Sequence, residues 1–172
     1  MFITKKELQK AIDYFENTST RKLKRKIDSI NNRQPVLDQF IVVIGKSNLL
    51  WDMIEDIIIS IYIIYYAHTE VKKRRFGKID EGALLENTIA FDKFLLFFLK
   101  ESKHNDSIDF TRANFIRDRV ALTYCFTMLS DIFGGAKNIP REILLPYFGL
   151  LKTIELEAQR PMKINNGSTN SQ

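Results

Sequence analysis

Glycine is scarce in this chain: seven in 172 residues, and none before Gly45. Proline is scarcer still, at four. A sheet of many short strands needs frequent turn residues, so this shortage argues against one and for long helices. The same shortage disposes of a phosphate-binding loop. "IVVIGKSN" (Ile41–Asn48) ends in Gly-Lys-Ser, but the pattern needs a glycine five residues ahead of Gly45, where the chain has Phe40. Without a glycine-rich turn there are no converging N–H groups to cradle a phosphate. Gly45 and Ser47 read instead as the end of one helix and the N-cap of the next.

Cysteine is nearly absent. Cys125 stands alone in an apolar run with Ala121, Leu122, Tyr124 and Phe126. One cysteine allows no intrachain disulfide and suits a reducing cytosol, where a buried thiol serves as a small hydrophobe. A nucleophilic cysteine wants a histidine, and the two in the chain, His68 and His104, lie far off in sequence. No long hydrophobic run occurs. The longest uncharged apolar window, Ile57–Ala67, is about half of the roughly 20 residues a membrane span needs. The N-terminus has no uninterrupted apolar stretch of the secretory kind and reads as an amphipathic helix. No internal repeat or linker divides the chain.

Apolar residues make up 45% of the chain and charged residues 27%, in keeping with a globular domain. The net charge of +5 is unevenly placed. Residues 1–34 hold nine Lys/Arg against four Asp/Glu, while residues 35–172 hold seventeen of each. The excess belongs to the N-terminal segment.

The periodicity predicts an all-α fold: a single compact bundle of about six or seven helices around a central hydrophobic helix, residues 48–75. That helix has Ser47 as N-cap, acidic residues in its first turns and Lys72–Arg75 in its last. Beyond Asp56 it is apolar nearly all round, as a buried helix is. "TKKE" (Thr4–Glu7) is a capping box for a first helix, about 5–16. A basic second helix, about 20–31, would complete an N-terminal helical hairpin over 1–34. Pro35 opens a third helix over 36–45. Asp80 caps a helix of about 81–102. Asp109 or Thr111 opens one running to Phe133, closed by Gly134-Gly135. Asn138 caps a last helix of about 140–159, which Pro146 should kink or split near Leu145. The folded domain spans 1–160, and the polar, aperiodic 161–172 reads as a disordered tail.

Three groups of residues could carry chemistry. Arg21, Lys22, Lys24, Arg25 and Lys26 on the second helix, with Lys72, Lys73, Arg74 and Arg75, form basic patches of the kind that neutralise phosphates. The first stretch lacks the interleaved aromatics of a single-strand binder, and cations on a helix also serve solubility. Glu101 and His104 have the Glu-x-x-His spacing of a helical metal motif, and Asp52 or Asp56 could complete a reduced site. Helix capping explains Glu101 and His104 as well. Asp52, Glu55 and Asp56 equally suit the helix dipole or ion pairs to Arg112, Arg117 or Arg119. Phe91 and Phe97, on the side of their helix away from Phe94 and Phe98, are expected to meet another chain.

The motifs assemble into no enzyme or binding-family signature, and no cofactor is expected. The first functional expectation is a non-enzymatic, cytoplasmic interaction or regulatory protein, self-associating or bound to a protein partner. The alternative is a nucleic-acid-associated protein using the basic N-terminal helix. The weaker one is a metal–carboxylate enzyme.

Overall fold

The computed structural model describes residues 2–74, 76–101 and 115–160, with residues 97–101 described by backbone alone. Among the described residues there are seven α-helices and no strand: α1 (Lys5–Asn17), α2 (Thr20–Arg33), α3 (Pro35–Gly45), α4 (Trp51–Tyr66), α5 (Glu81–Glu101), α6 (Arg119–Ile132) and α7 (Arg141–Gln159). A π-helical turn, Ala67–Val71, extends α4, and a 3₁₀ turn, Ala136–Asn138, precedes α7. The fold is all-α and compact, a bundle about one continuous apolar core. Among the described residues no helix is long and apolar enough to cross a membrane.

Local chemistry explains most helix ends. The Thr4 hydroxyl accepts from Glu7 N–H at 3.2 Å, and the Glu7 carboxylate accepts from Thr4 N–H at 2.7 Å, which completes the capping box. Asp80 accepts from Ala83 N–H at 2.9 Å to open α5. At the end of α6, Gly134 (φ 65°) lets Gly135 N–H reach Ser130 O at 2.7 Å. This is a Schellman closure.

α4 is the centre of the molecule. Ile54, Ile57, Ile61 and Ile64 are buried, and so are Ser60, Tyr62, Ile63 and Tyr65 on its other sides. α1 packs on α4 and the π turn, and α2 on α3, more extensively than the two N-terminal helices pack on each other. The most extensive pairing is α5 with α7. Gly149 makes it possible: a Cβ there would lie 2.2 Å from Thr88 Oγ1 and 3.0 Å from Thr88 Cα.

Several boundaries differ from the sequence pattern. α4 starts at Trp51, since Ser47 finishes α3, its Oγ donating to Ile44 O at 2.5 Å. At its other end the π turn and the left-handed Lys73 (φ 54°) stop the helix, so Lys72–Arg74 lie in a link and not in a last turn. α6 begins after Asp118, because that carboxylate accepts from Ala121 N–H and caps the helix. Residues 109–114 lie outside the described residues. Pro140, not Asn138, is the N-cap of α7, and Pro146 does not split it. The segment 161–172, expected to be disordered, also lies outside the described residues.

Candidate anion-binding cleft

The two basic segments come together at one end of α4. α2 delivers Lys26 and Arg33, one face of a helix two turns apart. The π turn delivers Glu70, whose carboxylate takes Lys26 Nζ at 2.8 Å and Arg33 Nη2 at 3.5 Å. The Lys26 ammonium also lies over the Tyr66 ring, 5.2 Å from its centroid. The hydrogen bond from Lys26, against the opposing effect of burial, holds the Glu70 carboxyl below its usual range.

Beyond Glu70 a cleft of about 730 Å³ opens between the α2/α3 corner and the link 72–78. Arg33, Lys73, Arg74 and Lys78 line it, with Gln34, Thr69, Glu70 and the rings of Tyr65 and Phe76. Those rings meet edge to face at 5.3 Å. Lys73, Arg74 and Lys78 pair with no carboxylate among the described residues. Positive charge is therefore in excess over the single, already neutralised carboxylate.

Gln34 shapes this cleft. It is both the last residue of α2's end and the first before Pro35, and it is buried. Its amide donates to Gly77 O at 2.7 Å and accepts from Ile79 N–H at 2.8 Å. Both otherwise unpaired backbone groups of the link are satisfied by one side chain, which fixes Phe76 and Lys78 beside Arg33.

Behind the cleft lies a second buried polar group. His68 is 1% exposed, its Nε2 3.6 Å from Asp118 Oδ2 and its Nδ1 without a partner among the described residues. Burial and the nearby Arg74 and Lys72 push its pKa down to about 4, so the ring is neutral. Asp118 is already committed, accepting Ile3 N–H at 2.9 Å and Ala121 N–H at 3.1 Å. Its burial pushes the carboxyl up, against those two donors.

The basic residues read from the sequence thus divide. Arg21, Lys22, Lys24 and Arg25 are exposed along the first half of α2. Lys26 is tied to Glu70, and Lys72 donates to Phe2 O at 2.5 Å and to Glu7 at 3.0 Å, so both brace the fold. Burial raises the Glu7 carboxyl, and Lys72 with Thr4 more than reverses that. Lys73 and Arg74 reach the cleft, and Arg75 lies outside the described residues. The sequence reading missed Gln34, Tyr65, Phe76 and Lys78 as a set. The signal was there for two of them: the basic run does not stop at Arg75 but continues through Phe76 to Lys78, with an aromatic between cations.

The metal constellation cannot be traced among the described residues. Asp52 and Asp56 are exposed on α4, the Glu101 side chain and His104 lie outside the described residues, and no three metal-ligating side chains cluster. Asp52, Glu55 and Asp56 also make no ion pair there, to Arg117, Arg119 or any other cation. Asp56 instead borders a groove of about 460 Å³ with Tyr124, Thr127, Met128, Asp131 and Ile132. The expected interface at Phe91 is overturned. That ring is 2% exposed, packed on Phe94, Phe115 and Phe148, because Gly149 draws α7 onto this side of α5. The Phe97 side chain lies outside the described residues. Among the described residues, the large apolar side chains most open to solvent lie elsewhere: Leu50 (74% exposed) and Trp51 (68%), with Val42, Val43 and Leu85.

Comparison of the chain with protein-family models, with curated proteins and with solved structures gives no match.

Proposed function

We propose that this protein is a non-enzymatic binding protein whose cleft engages a single-stranded nucleic acid. The observation that supports it is the meeting of Arg33, Lys73, Arg74 and Lys78 around the Tyr65 and Phe76 rings. Cations neutralise phosphates, and aromatic faces stack on unpaired bases of any sequence. Arg25 stands two turns before Arg33 on α2, roughly 12 Å along the axis, and extends the basic track away from the cleft. The reading favours binding over catalysis because the buried reactive groups are sealed. Cys125 is wholly buried and its thiol is pushed up to about 12 by that burial. The Tyr147 hydroxyl is held by Ser60 Oγ at 2.7 Å. A cytosolic setting belongs to the same proposal, resting on the single cysteine.

Titration of labelled single-stranded RNA, single-stranded DNA and duplex DNA at low and high salt tests it. Binding at low salt that prefers single strands, weakens with salt and is lost in the Arg33→Ala/Arg74→Ala double variant is the expected result. No binding of any of the three at low salt overturns it.

A second reading, regulation through self-association, has its own support in the exposed Leu50, Trp51, Val42 and Val43 at the α3–α4 junction. It predicts a concentration-dependent rise in mass by sedimentation equilibrium that Trp51→Ser abolishes. A monomer at all concentrations sinks it.

A further inference from the structure

We infer that the cleft is built for a phosphate monoester at the end of a strand, with the terminal base against Phe76, more than for phosphodiesters passing across it. This rests on the nucleic-acid reading above and names what that site holds.

The charge arithmetic is the first argument. A diester in a strand carries one negative charge and two free oxygens. A terminal monoester carries nearly two charges at neutral pH and has three. Lys73, Arg74 and Lys78 border one cleft with no carboxylate partner among the described residues, and Arg33 is only loosely held, at 3.5 Å, by a carboxylate that Lys26 already neutralises at 2.8 Å. Cations strung along a surface would suit a row of single charges. Gathered round one cleft, they suit one doubly charged group, and an arginine can meet such a group with two parallel N–H bonds.

Rigidity is the second. The link that carries three of the cations is not a free loop. Arg74 N–H bonds His68 O at 3.2 Å, and Gln34 holds Gly77 and Ile79 on the other side of Phe76. Lys73 itself sits at φ 54°, a left-handed backbone that a side chain other than glycine adopts at a cost. The backbone that carries the donors is thus placed before any ligand arrives, which lowers the entropy lost on binding.

Shape is the third. The cleft's roughly 730 Å³ falls in the range of pockets that take a ligand the size of a terminal nucleotide, base and phosphate together. Tyr65 is buried and forms its floor, while Phe76 is only partly buried and offers a ring to a single base. Arg25 then meets the phosphates that follow.

The test compares one labelled oligonucleotide sequence carrying a 5′-phosphate, a 3′-phosphate or hydroxyls at both ends, by fluorescence anisotropy at low salt. One phosphate-ended form should bind about tenfold more tightly than the hydroxyl-ended form, the scale of one bidentate charge-assisted contact. The Lys73→Gln/Arg74→Gln variant should bind more weakly overall and lose that preference, holding the phosphate-ended and hydroxyl-ended strands with equal affinity. The Arg21→Gln/Lys22→Gln variant removes the same charge away from the cleft, and should keep the preference. Thermal melting confirms that both variants fold. Equal binding of all three oligonucleotides, or loss of the preference in both variants alike, overturns the inference and leaves the nucleic-acid reading intact. Failure of all three to bind overturns both.

Discussion

Gln34 commits both ends of its amide to the backbone of the link and so holds one wall of the cleft. Gln34→Leu keeps the volume but strands Gly77 O and Ile79 N–H. An orphaned buried group costs about 1–3 kcal/mol; Ile79 is buried while Gly77 is exposed to water, so urea denaturation should show a loss of roughly 1–3 kcal/mol. His68 is the second residue whose environment has a measurable consequence. Its folded pKa of about 4 lies below the ordinary 6.5, so between those values the unfolded chain binds a proton that the folded chain refuses. Stability is complete above pH 6.5 and falls as the pH drops toward 4, by about 3 kcal/mol at most. Asp118, with its carboxyl raised, works in the other direction as it takes up a proton. The difference between the wild type and His68→Gln isolates the histidine: across pH 7 to 4 in chemical denaturation, the variant's curve should be the flatter.

The helix pair α5–α7 shows how one missing side chain sets an element's position. Alanine in a helix interior ordinarily gains up to about 1 kcal/mol over glycine. At Gly149 the added Cβ would meet Thr88 Oγ1 at 2.2 Å and its backbone Cα at 3.0 Å, so the helices must part. Overpacking of this kind costs about 1–3 kcal/mol, and Gly149→Ala should lower the melting temperature despite its better propensity. Thr88→Ala in the same chain should recover part of the loss, because it removes the hydroxyl contact but leaves the Cα. One polar contact crosses this seam, Asn87 Nδ2 to Thr153 Oγ1 at 3.0 Å, and the Thr153 hydroxyl in turn donates to Gly149 O of its own helix at 2.8 Å. Closing the seam also buries Phe91 and removes it from the surface.

For the whole molecule, the distribution of charge matters more than its sum. The N-terminal excess is partly absorbed inside the fold, with Lys26 and Arg33 on Glu70 and Lys72 on Glu7. What remains is a basic cleft with exposed cations on α2, none of them paired with Asp52, Glu55 or Asp56 among the described residues. If the four cleft cations each neutralise a phosphate charge, the slope of log affinity against log salt for a single strand should be about −3. That is roughly a fifty-fold loss between 50 and 200 mM salt. A slope near zero would mean that the cleft's charge takes no part in binding.

The helices were readable in advance because their causes are local. The capping box at Thr4–Glu7, the Asp80 cap and the paired glycines after α6 act within four or five residues, and the apolar period of α4 announces a buried helix whatever surrounds it. The all-α class follows from these together. The basic residues were readable too, but not their allotment: nothing near Lys72 or Lys26 in the chain says that one will brace Glu7 and the other Glu70, while Lys73 and Arg74 stay free of carboxylates. Those outcomes, the Gln34 bridge across 45 positions, the Ile3–Asp118 bond across 115 and the burial of Phe91 depend on which segments meet in space. A residue's neighbours along the chain determine whether it coils. Which charge is spent on holding the fold, and which is left for a partner, is decided only when distant segments pack and choose their hydrogen bonds.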